Sequence, residues 1–156
     1  MRRRTRAREA AVQFLYQIDL REGETAGGLA AIDPGTWKAD LDTFLGDALR
    51  EGLIPDEDSK DFARRLVEGT STRCEEIDSL LRSVARNWDL RRMAVVDRNV
   101  LRMAVYELLH CTDIPPKVTI NEAIEIGKKF STANSGAFIN GILDRIRLDH
   151  APRAEA

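Results

Sequence analysis

The chain has 156 residues, 43% apolar and 32% charged, with a formal net charge of −2. That is the length of one domain able to bury a core. No run nears the ~18 apolar residues of a spanning helix, and Met1-Arg2-Arg3-Arg4 leads into no apolar stretch, so no secretory signal is expected. Two cysteines, Cys74 and Cys111, exclude a disulfide scaffold, and two histidines, His110 and His150, leave little for metal or triad chemistry.

The first element is basic. Residues 1–8 hold five of the 24 basic side chains and no acid, leaving 19 basic against 26 acidic in the remainder. An acidic body with a basic arm points to a polyanion as partner. Ala11, Phe14, Leu15 and Ile18 then repeat at the spacing of one helical face. Gly23, Gly27, Gly28, Pro34 and Gly35 predict a loop before a second helix, marked by Leu41, Phe44, Leu45 and Ala48. Gly52 and Pro55 end that helix. Phe62, Ala63, Leu66 and Val67 mark a third, and Gly69 through Ser71 are expected to separate it from a fourth, Ile77, Leu80, Leu81 and Val84. Asp89 is the expected N-cap of a fifth helix, carrying Val96, Val100, Leu101, Ala104, Val105 and Leu108. Pro115-Pro116 stop it, because proline lacks an amide proton and restricts its predecessor. Thr119-Ile120-Asn121-Glu122 fits a capping box opening the sixth helix, with Ile120, Ala123, Ile124 and Gly127 on one face. Ser131 through Asn134 separate it from a seventh, Ile139, Ile142, Leu143 and Ile146.

No stretch alternates with period two over a strand's length. Amphipathic helices must bury their stripes on one another, so the expected fold is all-α, about seven helices in two packed bundles. A seam near residues 86–90 is expected to divide a single domain, 1–150, into halves of about 1–85 and 86–150, with a tail at 151–156.

Catalytic chemistry finds no footing. His150 lies in a polar tail, and His110 and Cys111 point about 100° apart on a helix. No zinc spacing and no glycine-rich phosphate loop is present. Both cysteines are expected to be buried free thiols of a cytoplasmic protein, with no cofactor and no metal. The positive signal is Arg2, Arg3, Arg4, Arg6 and Arg8 running into the first apolar stripe. Arginine makes forked hydrogen bonds to phosphate and stacks on bases, so RNA or DNA is the expected ligand. A solvated charged terminus is the bland alternative, and the apolar stripe is short for a membrane-surface helix. Tyr16 and Phe138 are candidate base-stacking rings, though a helical Phe is more often core.

The C-terminal half carries further motifs. Val96-Asp97-Arg98-Asn99-Val100-Leu101-Arg102-Met103-Ala104-Val105-Tyr106-Glu107-Leu108 is followed by Asp113-Ile114-Pro115-Pro116-Lys117-Val118-Thr119-Ile120-Asn121-Glu122-Ala123-Ile124-Glu125. Then come Lys128-Lys129-Phe130 and Phe138-Ile139-Asn140-Gly141-Ile142-Leu143-Asp144. With Arg6-Ala7-Arg8-Glu9 and Leu15-Tyr16, this order resembles the NusB family of bacterial transcription antitermination factors, over about residues 2–22 and 90–146.

The resemblance implies a non-catalytic, all-helical RNA-binding protein. It implies pairing with NusE, a ribosomal small-subunit protein, and binding of boxA in single-stranded nascent ribosomal RNA leaders. It also implies an antitermination complex with RNA polymerase, NusA and NusG. Position by position, Arg2, Arg3, Arg4, Arg6 and Arg8 match the family's RNA-binding arm. Tyr16 matches a tyrosine near the RNA and NusE surfaces, and Asp97 an acidic position facing NusE. Asn134, Ser135 and Phe138 match the region that approaches RNA. Asn121, Glu122, Asn140 and Gly141 match signature positions expected to serve as caps, buried hydrogen bonds and close helix contacts. Asn134 stands where relatives often carry an acid, and Ala137 where they often carry a lysine. Two other readings of the chain are a protein-interaction adaptor and the NusB-like accessory domain of a ribosomal RNA methyltransferase.

Overall fold

A computed structural model describes residues 2–22, 34–85 and 89–150. Of the predicted loop, Gly23, Gly27 and Gly28 lie outside the described residues, as does the tail 151–156, while Pro34 and Gly35 are the first residues of α2, where a proline's missing N–H costs nothing. Those described form seven α-helices: α1 Arg2–Glu22, α2 Pro34–Arg50, α3 Glu57–Thr72, α4 Cys74–Val84, α5 Val95–His110, α6 Pro116–Phe130 and α7 Ser135–Asp149. There is no strand among them.

The chain divides into two compact units between Cys74 and Glu75, earlier than the expected seam near residue 86. The reason is α4. Its Asp78 is tied into the second unit by Arg102 of α5, whose Nε and Nη2 donate to Oδ1 and Oδ2 at 2.8 and 2.9 Å.

In the first unit α1 packs on α2 and α3. Ala11, Phe14, Leu15 and Ile18 are all buried, as their spacing predicts, and Trp37, Leu41 and Leu45 join them from α2. Phe14 meets Trp37 edge-on at 6.2 Å and Phe44 at 5.4 Å between ring centroids. After α2, Gly52 takes φ +79°, and Leu53 N–H donates to Ala48 O at 2.9 Å. Only glycine adopts that left-handed backbone without steric cost, so the break falls where the glycine stands. Asp56 caps α3 and accepts from the Ser59 amide. The helix then runs through Gly69 to Thr72, so the expected interruption at Gly69–Ser71 does not occur. Leu66, Val67 and Thr70 are all buried there, and their packing outweighs the helix cost of one glycine, about 1 kcal/mol.

In the second unit α5 is the hub. Beyond its ion pair with Asp78, Arg102 donates from Nη1 to Asn99 Oδ1 at 3.2 Å, and Asn99 Nδ2 donates to Val95 O at 2.9 Å. Asp89 caps a single 3₁₀ turn, Leu90–Arg92, and α5 starts later, at Val95. The capping box at Thr119 is also superseded. Pro115 and Pro116 open α6, since proline's missing N–H is no loss in a first turn. Thr119 is therefore one turn inside, and its hydroxyl donates to Glu107 Oε1 on α5 at 3.0 Å.

α6 and α7 approach closely at Gly127 and Gly136. A Cβ on Gly127 would stand 2.4 Å from Ile139 Cδ1, and one on Gly136 3.1 Å from Lys128 Cδ. Gly141, expected to serve this purpose, has nothing within 4 Å of its would-be Cβ. Asn140 and Asn121 are exposed, so neither makes the expected buried hydrogen bond.

Candidate nucleic-acid interface

The arginines of the expected arm stand in the first two turns of α1. That helix has no acidic residue in its first turn, so its charges oppose the helix dipole. Compensation comes from the start of α3. Arg3 Nε lies 3.0 Å from Asp56 Oδ2, and its Nη2 3.5 Å from Asp58 Oδ2. The Ser59 amide and hydroxyl donate to Asp56 at 2.9 and 2.8 Å and, with the Arg3 guanidinium, hold its carboxyl below the usual range. The Arg3 pairs are solvent-exposed, so an external anion can compete for this guanidinium.

Arg4 and Arg8 are one helical turn apart and meet the same ring. Their Cζ atoms lie 4.2 and 5.2 Å from the centroid of Phe62 on α3. Arg3, Arg4, Asp58, Ser59, Asp61, Phe62 and Arg65 line a groove of about 550 Å³, three guanidinium groups against two carboxylates. Arg6 is exposed. Arg8 departs from the expected arm: it is 2% exposed, because position 8 faces α3. For Arg2 only the backbone is described.

The second unit brings together four of the sequence-predicted residues. Asp97, Asn134, Ser135 and Phe138 line one concavity of about 240 Å³, with Arg92 and Thr132. Asn134 is exposed and immediately precedes α7. Phe138, one turn in, is half-buried. Ser135 is 3% exposed, and its hydroxyl donates to Asp97 Oδ2 at 3.0 Å. That bond ties α7 to the first turn of α5, so Ser135 acts as a brace and is not open to a ligand. Asp97 is 9% exposed, so most of the carboxylate expected to face a partner is turned inward. Its Oδ1 has no hydrogen-bond partner among the described residues.

Tyr16 is half-buried on α1 and lines neither concavity. Arg65 and Arg92 escaped the sequence reading. Arg65 stands three residues after Phe62, a spacing that puts both on neighbouring positions of α3. Nothing in the sequence says that this face meets α1. Cys74 and Cys111 are buried and free. No three or more His, Cys, Asp or Glu side chains converge to hold a metal among the described residues, and no helix there is long and apolar enough to cross a membrane. The first unit offers guanidinium groups and the second a partly open ring beside Arg92, and each by itself suits contact with an anionic, base-bearing polymer.

The model of the NusB family matches residues 5–147. A transcription antitermination protein NusB from Desulfosudis oleivorans is 43% identical over 149 residues, covering 96% of this chain and 88% of the relative. The solved structure of T. maritima NusB superposes with a TM-score of 0.74 at 40% identity, covering 96% of this chain and 93% of that one. A chain from the crystal structure of antitermination factors NusB and NusE in complex with dsRNA superposes with a TM-score of 0.73 at 29% identity, covering 96% and 99%.

Proposed function

The chain belongs to the NusB family, a non-catalytic family, and on that premise we propose that it is an RNA-binding transcription antitermination factor. It pairs with NusE, binds boxA in nascent ribosomal RNA leaders, and acts in the cytoplasm beside RNA polymerase, NusA and NusG. One observation carries this reading: Arg3, Arg4 and Arg65 line one groove at the exposed start of α1 and outnumber its two carboxylates, Asp58 and Asp61. Guanidinium groups there meet phosphates whatever the sequence. Phe138 and Asn134, at the concavity of the second unit, supply a ring for stacking and an amide for a base edge. Tyr16 contacts RNA or NusE from α1. Asp97 and Ser135 hold the frame of the second concavity, and the rim of that frame is where NusE docks. The related complex of NusB and NusE with dsRNA supports RNA and NusE as partners at that coarser level.

The test is a titration of labelled leader RNA with this protein, alone and with NusE. Binding that tightens when NusE is added, and weakens when boxA is scrambled, is the expected result. Indifference to boxA in the presence of NusE overturns the assignment. Phe138→Ala is expected to lose about 1–3 kcal/mol of RNA affinity by removal of a stacked ring.

A further inference from the structure

Phe62 sits in the core of the first unit, 5% exposed, and also lines the arginine groove. Its ring is too enclosed to receive a base. Instead it receives arginine: Arg4 Cζ lies 4.2 Å from the ring centroid and Arg8 Cζ 5.2 Å. We propose that Phe62 is a positioning residue of the RNA interface, holding the Arg4 guanidinium by its face so that the N–H edges are presented to phosphate. The proposal rests on the reading of α1 as the RNA-contacting element.

Three observations support it. The first is geometric. Arg4 and Arg8 are four residues apart, so the helix sets both on one face, where like charges repel. The electron-rich face of a ring attracts both cations and so permits them to stay close. Second, the two neighbours of Arg4 in the arm differ from it. Arg3 is already engaged by Asp56 and Asp58, while Arg6 is exposed and lines no groove described here. Arg4 has no ion pair or hydrogen bond among the described residues, and its one described partner is the ring. Third, the Arg4 Cζ lies over the ring at 4.2 Å with no described acceptor on its N–H groups, which leaves them available for a forked bond to an anion. Holding the side chain beforehand lowers the entropy lost on binding. Arg4 is thus the pre-set contact of the arm, and Phe62 sets it.

The test uses the full chain and labelled oligouridylate RNA, titrated at several salt concentrations. Phe62→Leu removes the ring and keeps an apolar side chain and every charge. It is expected to weaken binding about two- to fivefold, with the parent's salt slope. Arg4→Ala is expected to weaken binding more than Arg6→Ala, and to lower the slope by about 0.7. The double variant Phe62→Leu/Arg4→Ala is expected to bind no worse than Arg4→Ala, because Phe62 acts through that side chain. Phe62→Tyr restores the ring and is expected to recover most of the loss. An additive double variant, or Phe62→Leu with parental affinity beside a weakened Arg4→Ala, overturns the role of Phe62 and leaves the arm in place. Parental affinity of Arg4→Ala overturns the arm reading and the proposal together. Should Phe62→Leu fail to fold by circular dichroism, the parent protein decides. Upfield ring-current displacement of the Arg4 side-chain resonances is expected, and random-coil positions overturn the proposal.

Discussion

Single side chains in this protein hold whole helices. Arg102 and Asp78, 5% and 4% exposed, form a two-pronged ion pair inside the second unit. Two buried charges satisfy each other only while both are present. Asp78→Asn is therefore expected to cost about 3–5 kcal/mol of unfolding free energy, read by urea titration. Replacing both partners by apolar residues, Asp78→Leu with Arg102→Met, is expected to recover most of that loss. Equal destabilisation by the single and double variants would contradict the account. The pair was not legible in the sequence. Asp78 and Arg102 look like ordinary helical charges, and their separation of 24 residues carries no signal. The same blindness explains Arg8, expected in the RNA-binding arm although its helical position turns it toward Phe62 of α3.

At the level of elements, periodicity located the seven helices among the described residues, and their stripes are largely buried. Ends were harder to read. A Thr-x-x-Glu box and a Pro-Pro pair compete to open α6, and the prolines win, releasing Thr119 to bond Glu107. Glycines show the same limit: of Gly127, Gly136 and Gly141, the first two are pressed between helices and the third is not. Gly127→Ala is expected to destabilise the fold by about 1–3 kcal/mol through overpacking. The clash is with the terminal carbon of Ile139, at 2.4 Å. Gly127→Ala with Ile139→Val removes that carbon and is expected to melt closer to the parent than Gly127→Ala. A double variant no more stable than the single one would place the clash elsewhere.

For the whole molecule, the distribution of charge is what the proposed RNA contact rests on. The net charge of −2 conceals a basic N-terminus, where Arg3, Arg4 and Arg6 are exposed. Each phosphate neutralised on a single strand contributes about 0.7 to the salt slope. Arg4→Ala with Arg6→Ala is thus expected to lower the slope by about 1.4 and to weaken binding alike for boxA and scrambled RNA. A parental slope in that variant would remove those arginines from the interface. Composition, helical class, the basic start of α1 and the family motifs were all set by the sequence by itself, because each is a local pattern of residue types. Which arginine lies buried, which glycine is pressed between helices, and which charges pair at a distance were decided only in the tertiary structure. These depend on which helix faces meet, and a helix's own period marks its apolar side without naming what packs against it.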